Sequence, residues 1–295
     1  MSVSKFLQYI EFEKRYSKHT ILSYTKDLDQ FTQFIKETFQ ITDYDQVDNV
    51  FIRAWIALLM EDGNSPKTVN RKISALKSFF KFLLKSGTLS QNPMLRINGP
   101  KIRKKLPVFI EEKSMDLLSS ICEKPESFEE ARNILIVELF YLTGIRREEL
   151  IGIRINDINT EELLLKVHGK RNKERLIPIH KAILPLINSY LSYKEDIIKQ
   201  YGENPFFFLT AKGKKLYPKL VYRIVNNYLS KVSTQKKRSP HVLRHTFATH
   251  MLNNGADLNA VKELLGHANL AATQVYTHNT IEELKKIYKL AHPKA

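Results

Sequence analysis

Residues 65–87 carry a full set of start, stop and packing signals for one amphipathic helix. Ser65 can cap its N-terminus, Pro66 can occupy its first position, and Gly87 follows its last turn. Its apolar positions recur at spacings of three and four residues: Val69, Ile73, Leu76, Phe80 and Leu83. Because such a stripe must be buried, the segment predicts a helix packed in the core of a larger helical unit.

Two earlier segments share this periodicity. One follows a cap at Ser17, with apolar positions Ile21, Tyr24, Leu28, Phe31 and Phe34 or Ile35. The other begins near Asp48 and ends at Gly63, with apolar positions Ile52, Trp55, Ile56 and Leu59. Together the three segments predict a small all-helical domain over residues 1–87.

Charged residues are segregated along the 295-residue chain, whose formal net charge is +16. Residues 1–62 carry seven Lys/Arg and ten Asp/Glu. By contrast, residues 63–110 carry eleven Lys/Arg and residues 204–256 carry ten, and neither segment contains an acid. Two acid-free segments in separate halves of the chain predict two surfaces that face one polyanion, although two solvated surfaces are the alternative.

The polar side of the helix predicted over residues 65–87 is the first candidate nucleic-acid surface. A helix of about 22 residues is about 33 Å long, close to one turn of DNA. The segment contains no glutamate for i,i+4 pairs, which favours DNA binding over a merely solvated lysine face. The candidate DNA contacts on this helix are Lys67, Arg71, Ser74, Lys77 and Lys81.

Residues 88–106 predict a basic linker between two domains. The stretch 91–107 holds three prolines and one glycine and shows no periodic apolar stripe. A basic connector can follow a DNA backbone, so Lys101 and Arg103 are further candidate DNA contacts; a plain tether is the alternative.

The second half of the chain combines helices with a small sheet. An apolar helix over 129–141 ends at Thr143-Gly144, and the next helix begins near Arg146. Alternating apolar residues around Leu165 and a returning strand over 175–179 predict a hairpin with a basic tip. Residues 206–209 could add a short strand, and residues 218–290 are predicted to be helical. The predicted fold is therefore mostly α with a small antiparallel β-sheet, in two domains.

Several residues of the second half suit chemistry at a phosphate. They combine fixed positive charge, imidazoles and a hydroxyl that can become a nucleophile, which suits attack on a phosphate diester without a metal. In chain order they are Arg146, Lys170, His241, Arg244, His267 and Tyr276. Each has an ordinary alternative when taken alone, such as a surface ion pair of Arg146 with Glu149 or a core role for the tyrosine.

Other functional classes fit the same residues less well. The spacing of His241, His245 and His250 is metal-like, but no acidic ligand lies near them and ten basic residues in the segment 204–256 would repel a divalent ion. The single cysteine, Cys122, cannot form an internal disulfide or a cysteine cluster. We therefore expect no metal and no cofactor. A non-catalytic DNA-binding protein remains compatible with the charge pattern alone.

In these motifs the chain resembles the tyrosine recombinase, or phage integrase, family, and in particular the bacterial Xer site-specific recombinases. The matching segments are Thr143-Gly144-Ile145-Arg146 with Glu149-Leu150, Gly169-Lys170, residues 239–250, Leu264-Leu265-Gly266-His267, residues 273–278 and residues 292–295. The chain departs from the family pattern at Arg171, where glycine is frequent, and at Arg147-Glu148, where a small residue is frequent.

The resemblance implies a fold and a set of roles. It implies a two-domain, C-shaped DNA clamp with a helical core-binding domain over 1–87, a linker over 88–106 and a catalytic domain over 107–295. Tyr276 would attack the scissile phosphate to form a covalent 3′-phosphotyrosine, Arg146 and Arg244 would brace the phosphate oxygens, Lys170 would protonate the leaving oxygen, and His241 and His267 would assist. Arg171 is a further candidate DNA contact.

The resemblance also implies a biological reaction. The expected partner is a double-stranded DNA recombination site, bound by a homo- or hetero-tetramer of the chain with itself or a paralogue, and strand exchange would pass through a Holliday junction. The expected role is resolution of chromosome dimers at cell division, with a septum-linked DNA translocase as a further partner. An integrase of a mobile element and a type IB topoisomerase are the alternatives.

Two expectations concern the ends of the chain and its location. Leu284, Ile287 and Leu290 have helical spacing near the C-terminus. The resemblance implies that this segment docks on a neighbouring protomer, while packing within its own chain is equally compatible.

No apolar run approaches the ~20 residues of a membrane span, and no signal peptide is evident, so we expect a cytoplasmic protein with no membrane partner.

Overall fold

The structure is a computed structural model that describes residues 3–103, 108–121, 125–169, 174–266 and 278–294. The chain divides into two compact units, Met1–Lys105 and Leu106–Ala295. Each unit has a hydrophobic core of its own. No helix within the described ranges is long and apolar enough to cross a membrane.

The first unit is helical. Its helices are α1 (Val3–Gln8), α2 (Lys18–Phe39), α3 (Asn49–Glu61) and α4 (Pro66–Lys85), with a π-helical turn over Tyr9–Glu13 and a 3-10 turn over Tyr44–Gln46. The predicted caps of α2 and α4 are present, since Ser17 accepts a hydrogen bond from the amide of Thr20 and Ser65 from that of Thr68. The three long helices predicted from the sequence are therefore confirmed.

The core of the first unit includes part of the predicted linker. All five apolar residues of the α4 stripe are buried, and so are Leu89, Met94 and Ile97, which lie in the linker segment. The side-chain amide of Asn70 on α4 donates to the main-chain oxygen of Pro100 at 2.8 Å. A Cβ at Gly99 would overlap the side-chain oxygen of Asn70, so a larger residue would displace the amide that donates to Pro100. The chain thus stays attached to the first unit as far as Pro100.

The second unit is mostly helical with one small sheet. Its helices are α5 (Glu112–Ile121), α6 (Phe128–Thr143), α7 (Arg147–Gly152), α8 (Leu184–Tyr201), α9 (Pro218–Ser230), α10 (Pro240–Asn253), α11 (Leu258–Leu265) and α12 (His278–Ala291), with 3-10 turns over Ile155–Asp157 and Lys181–Ile183. Residues 134–143 of α6 are all buried, so this helix forms the centre of the core.

The sheet is an antiparallel meander of β1 (Ile158–Asn159), β2 (Leu164–His168) and β3 (Glu174–Pro178). Leu165 pairs with Ile177 and Val167 with Arg175. Because directly paired residues point to the same face, the side chain of Arg175 lies on the buried face of the hairpin. The predicted hairpin is confirmed.

The strand suggested over 206–209 is wrong. The segment makes only isolated bridges, Arg154 with Phe206 and Leu209 with Lys215. Three successive residues, 207–209, are buried, which does not fit the alternation of a strand. The carbonyls of Phe206 and Phe207 instead accept hydrogen bonds from the buried ammonium group of Lys194, at 3.1 and 2.8 Å.

The C-terminal helix α12 packs on its own chain in this structure. Leu284, Tyr288 and Ala291 are buried in the core of the second unit, whereas Leu290 is 84% exposed. The helix was predicted, but its buried stripe is displaced from the predicted one because Tyr288 and Ala291, rather than Leu290, continue the inner face. Tyr288 stacks on His292 with ring centroids 5.1 Å apart.

Candidate active site

The site begins at the corner between α6 and α7. Gly144 ends α6 in the left-handed conformation, with φ of 57°. A Cβ at this position would lie 2.5 Å from a ring carbon of Phe247 and 2.8 Å from a methyl of Leu265. Only glycine therefore satisfies both the backbone conformation and the close packing. This tight corner places Arg146 at the N-cap of α7.

Arg146 makes three hydrogen bonds that fix its orientation. Its main-chain amide and its Nη1 donate to the two carboxylate oxygens of Glu149, both at 2.8 Å. Its Nη2 donates to the main-chain oxygen of Gly266 at 2.9 Å. The side chain remains one-third exposed (33%). The ion pair with Glu149, which was the ordinary alternative for Arg146, is present, and it orients a guanidinium that still reaches solvent.

Arg244 lies on α10 and is buried. Its Nη1 donates to the main-chain oxygen of Gly144 and its Nη2 to that of Leu265, both at 2.6 Å. Burial, and next the positive charge of Arg146, lower the pKa of Arg244 to about 10, so the guanidinium remains charged at neutral pH.

Arg175 is a site residue that the sequence reasoning missed. From β3 its Nη1 and Nη2 form a bidentate pair with Glu149, at 2.9 and 2.8 Å, and its Nε donates to the main-chain oxygen of Leu264 at 2.9 Å. Both side chains of this pair are buried. The available signal was that Arg175 shares one face of the predicted strand with Ile177 and Ile179, which are apolar.

We call Arg146, Arg175 and Arg244 the arginine cluster. Each of them donates to one of three successive carbonyls at the end of α11, which are those of Gly266, Leu264 and Leu265 respectively. The last carbonyls of a helix lack intrahelical partners and carry partial negative charge, so they suit guanidinium groups. Gly266 closes α11 in the left-handed conformation, with φ of 64°.

Glu149 is the carboxylate that pairs with the cluster. Burial opposes its ionisation, but hydrogen bonds and charge from Arg175, and then hydrogen bonds from Arg146, lower the pKa of Glu149 to about 2. Three guanidinium charges less one carboxylate charge leave the group at +2. Such an excess of fixed positive charge, partly open to solvent at Arg146, is suited to an anion such as a phosphate.

His241 lies in the first turn of α10, one residue after Pro240, and is exposed. Partial burial of the imidazole, followed by the charges of His245, Arg147, Arg244 and Arg146, lowers the pKa of His241. The uncharged imidazole, with one donor and one acceptor nitrogen, is therefore the main form at neutral pH.

Three of the six predicted catalytic residues lie outside the described residues: Lys170, His267 and Tyr276. The same is true of Arg171, a predicted DNA contact. The structure brings together Arg146 and Arg244 through the end of α11. The roles of all six residues stay predictions.

The predicted DNA contacts of the first unit share one property, which is that their side chains are exposed. They are Lys67, Arg71, Ser74, Lys77, Lys81, Lys101 and Arg103. Arg71 also forms an ion pair with the buried carboxylate of Asp27 and donates to the hydroxyl of Ser23 at 2.6 Å. The guanidinium of Arg71 is restrained by these contacts. The neighbouring Asn70 donates its side-chain amide to the main-chain oxygens of Pro66 and Pro100. Exposure is required for DNA contact, and the contacts themselves stay predictions.

The three histidines with metal-like spacing, His241, His245 and His250, have different surroundings. His250 is buried, and its Nδ1 is 3.0 Å from the hydroxyl of Tyr141, whereas His241 and His245 are exposed. Within the described part of the chain, no three His, Cys, Asp or Glu side chains are grouped so that they could hold a metal ion.

Comparisons with known families match nearly the whole chain. The model of the Phage integrase family matches residues 108–283, and that of the Phage integrase N-terminal SAM-like domain matches residues 3–87. The first range contains the arginine cluster and all six predicted catalytic residues.

Individual proteins are similar over the same length. "Tyrosine recombinase XerC" of Listeria innocua is 37% identical over 99% of this chain and 97% of its own length. The protein of the same name from Chlorobaculum tepidum is 35% identical over 99% of this chain and 94% of its own length.

Solved structures share the fold. The XerH site-specific recombinase, in a post-cleavage complex with its palindromic difH substrate, has a TM-score of 0.73 at 22% identity, over 97% of this chain and 83% of that one. The Tn1549 transposon integrase, in complex with transposon right end DNA, has a TM-score of 0.69 at 19% identity, over 99% of this chain and 100% of that one.

Proposed function

The chain belongs to the phage integrase family and is a site-specific tyrosine recombinase of the Xer type, and we propose that it cleaves and rejoins duplex DNA through a covalent 3′-phosphotyrosine at Tyr276. The observation that carries this proposal is the arginine cluster on the last carbonyls of α11. It holds three guanidinium groups against one carboxylate, and His267, a predicted catalytic residue, directly follows Gly266.

Charge explains how such a cluster accelerates the reaction. A phosphodiester carries one negative charge, and attack by an oxygen nucleophile develops a second. The cluster with Glu149 carries +2, so it matches the transition state better than the ground state. Arg146 and Arg244 contact the non-bridging oxygens, where planar guanidinium groups can donate two parallel hydrogen bonds.

The bond changes balance with the residues of this chain. The hydroxyl oxygen of Tyr276 forms a bond to phosphorus, and the bond from phosphorus to the 5′-oxygen breaks. The tyrosine proton passes to the uncharged imidazole of His241, the leaving 5′-oxygen takes a proton from Lys170, and His267 contacts the phosphate. Because the phosphotyrosine keeps the energy of the diester, religation to a second strand needs no nucleotide cofactor.

Residues 1–87 act as the core-binding domain and 107–295 as the catalytic domain; the segment 88–106 connects them, and its part up to Pro100 packs on the first unit. The DNA contacts are the exposed Lys67, Arg71, Ser74, Lys77, Lys81, Lys101 and Arg103, together with Arg171. Support for a duplex DNA partner comes from the solved structures of similar fold, whose titles describe complexes with DNA.

The assembled enzyme is a tetramer on two DNA sites, formed with itself or with a paralogue, and α12 docks on a neighbouring protomer there. In the isolated chain α12 packs on the core of its own second unit. Assembly would replace these contacts by equivalent contacts with the second unit of a neighbouring protomer. The cytoplasmic reaction is resolution of chromosome dimers at division, together with a septum-linked translocase. Curated relatives named XerC at 34–37% identity favour this role over that of a mobile-element integrase.

The test begins with covalent trapping in cells. Cells that express the tagged protein are lysed in detergent, the DNA joined to the protein is sequenced, and the recovered site is rebuilt as a nicked duplex that prevents religation. In EDTA, the wild-type protein is expected to form a denaturation-resistant adduct at Tyr276, located by peptide mass spectrometry.

The matched variants are Tyr276→Phe and Tyr222→Phe, the latter an exposed tyrosine on α9. Tyr276→Phe should abolish the adduct and Tyr222→Phe should preserve it. If no DNA is joined to the protein in the denatured lysates, or if Tyr276→Phe traps the same DNA as wild type, the proposed reaction is overturned.

A further inference from the structure

We propose that Arg175 is a positioning residue of the recombination reaction, which acts by keeping Arg146 available to the phosphate and by joining β3 to the end of α11. The inference rests on the proposed function, because it concerns the same phosphate site. It assigns a role to a residue outside the predicted catalytic set.

The bonds of Arg175 show why it acts through other groups. All three of its nitrogens donate, two to Glu149 and one to Leu264, and its side chain is 7% exposed. A guanidinium used in this way contributes charge to the site but has no free edge for a bidentate contact with a phosphate.

Glu149 is the group through which Arg175 controls Arg146. Its carboxylate accepts four hydrogen bonds, two from Arg175 and two from Arg146. A carboxylate has about four acceptor positions, so Glu149 is saturated. Because Arg175 takes the bidentate edge, the side chain of Arg146 is limited to one bond with Glu149, and its other terminal nitrogen stays on Gly266.

Without Arg175 the balance at Glu149 changes. A buried carboxylate left with one guanidinium gains most by pairing with it through both oxygens. Arg146 would then turn toward Glu149, leave the carbonyl of Gly266 and lose its partly exposed position. The charge of Arg146 would remain near the site, but its guanidinium would no longer be placed to contact the phosphate.

The third bond of Arg175 joins two elements that carry predicted catalytic residues. Arg175 lies five residues after Lys170 in the hairpin, and Leu264 lies three residues before His267. The bond from Nε to the Leu264 oxygen, at 2.9 Å, therefore fixes the hairpin strand against the end of α11. Arg175 therefore links the strand that follows Lys170 directly to the helix end that precedes His267.

The test compares adduct formation on the recovered nicked duplex under single-turnover conditions. Arg175→Gln is expected to slow adduct formation roughly 100-fold, as for a misplacement of about 1 Å at a reacting group. DNA affinity should be unchanged because the DNA-facing residues are retained. Arg175→Lys restores the charge without the bidentate pair, so it should rescue the rate only in part.

The matched control is Arg132→Gln. Arg132 is also buried in the second unit, and it donates to a main-chain oxygen, that of Leu209 at 3.2 Å, outside the arginine cluster. Its loss should lower the melting temperature without slowing adduct formation by the folded protein. This comparison separates positioning from general destabilisation.

A pH profile provides a readout that a merely structural role would not move. The charged groups that face Glu149 in the described structure are Arg146 at the N-cap of α7, Arg175 on β3 and Arg244 on α10. Removal of Arg175 raises the pKa of the buried Glu149, so the rate deficit of Arg175→Gln relative to wild type should shrink as the pH is lowered, because protonation of the carboxyl releases Arg146. The double variant Glu149→Gln/Arg175→Gln has no such carboxyl and should lack this extra acid dependence.

The outcomes separate this inference from the proposed function. If wild type forms no adduct, the proposed function is wrong. If wild type forms an adduct and Arg175→Gln or Arg175→Lys, folded by melting, forms it equally fast, the positioning role is wrong. An acid dependence identical in Arg175→Gln and the double variant would also overturn the role of Glu149. Should Arg175→Gln fail to fold, Arg175→Lys and the double variant decide between the same outcomes.

Discussion

Arg244 donates to the main-chain oxygen of Leu265, the last residue of α11, at 2.6 Å. Its other terminal nitrogen donates to the oxygen of Gly144 at the end of α6, also at 2.6 Å. One buried guanidinium therefore holds two helix ends together, and the corner that leads to Arg146 follows one of them. The positive charge is fixed before any ligand binds, which is the condition for preorganised electrostatic stabilisation of a transition state.

Replacement of Arg244 by lysine tests this arrangement. A lysine keeps the positive charge but has a single nitrogen, so it cannot bridge both carbonyls in the planar geometry of a guanidinium. We expect Arg244→Lys to slow adduct formation about 100-fold to 1000-fold, with DNA affinity retained. The measurement is the single-turnover rate of covalent adduct formation at saturating DNA. Arg53→Lys, at an exposed arginine on α3, is the control, and a wild-type rate for Arg244→Lys would contradict the prediction.

Arg146 and Arg244 could be singled out from the sequence as predicted catalytic residues, but the contacts that hold them could not. Arg146 and Arg244 stand in recognisable motifs at helix starts. Arg244 and Gly144 are 100 residues apart, and Arg175 and Glu149 are 26 apart. Such pairs form only when several elements pack together, and no periodicity of a single segment reports them. The sequence predicts that Arg175 lies in a strand, but no pattern in that segment identifies Glu149 as its ion-pair partner.

Packing also decides which apolar positions are buried. Periodicity identified the α4 stripe because helical spacing is regular there. Leu89, Met94 and Ile97 have no such period, so the sequence predicts a linker there, although all three residues are buried. In α12 the pattern of leucine and isoleucine suggested an inner face that includes Leu290, whereas the ring of Tyr288 occupies the core.

Gly266 provides a second test, at the end of α11. It has φ of 64°, and a Cβ there would lie 3.0 Å from Nη1 of Arg175. Gly266→Ala should therefore strain the backbone and also displace Arg175, and we expect it to slow adduct formation by roughly 10-fold or more. Gly255 is the matched control, because it has φ of 86° but open space around its Cβ position. Both alanine variants should lower the melting temperature, and equal adduct rates in the two folded variants would contradict the prediction.

The pH dependence of cleavage should report His241. Its pKa is lowered by partial burial and then by His245 and the nearby arginines. The uncharged imidazole, which accepts the tyrosine proton, is therefore present down to a pH below the ordinary histidine value of about 6.5. Adduct formation should stay constant from neutral pH to about pH 6.5 and fall below it, with the fall absent in the slower His241→Asn variant. A fall centred above pH 6.5 in wild type, or the same fall in His241→Asn, would contradict the assignment.

Glu149 should make the stability of the second unit depend on acid. Its pKa is lowered to about 2, below the ordinary value of 4.5, so its ionised form stabilises the folded state. That contribution is fully present above about pH 4.5 and is lost as the pH falls toward about 2. Glu149→Gln should cost roughly 3 kcal/mol at pH 7, and the difference from wild type should shrink below about pH 4.5. Urea unfolding followed at several pH values measures it, and a difference that is independent of pH would contradict the prediction.

The exposed lysines of α4 can be tested through the salt dependence of DNA binding. Each lysine that neutralises a phosphate contributes about 0.9 to the slope of log affinity against log salt concentration. Lys77→Gln and Lys81→Gln should therefore each reduce the slope by about that amount, whereas Arg71→Gln should reduce it less because the buried Asp27 already compensates part of its charge.

Lys199→Gln is the control, since Lys199 is 73% exposed on α8 and pairs with Asp196. Slopes are measured by fluorescence anisotropy on the recovered duplex between low and physiological salt. An unchanged slope in both α4 lysine variants would place the DNA elsewhere on the first unit, and an equal reduction in Lys199→Gln would show that total charge, rather than this helix face, determines binding.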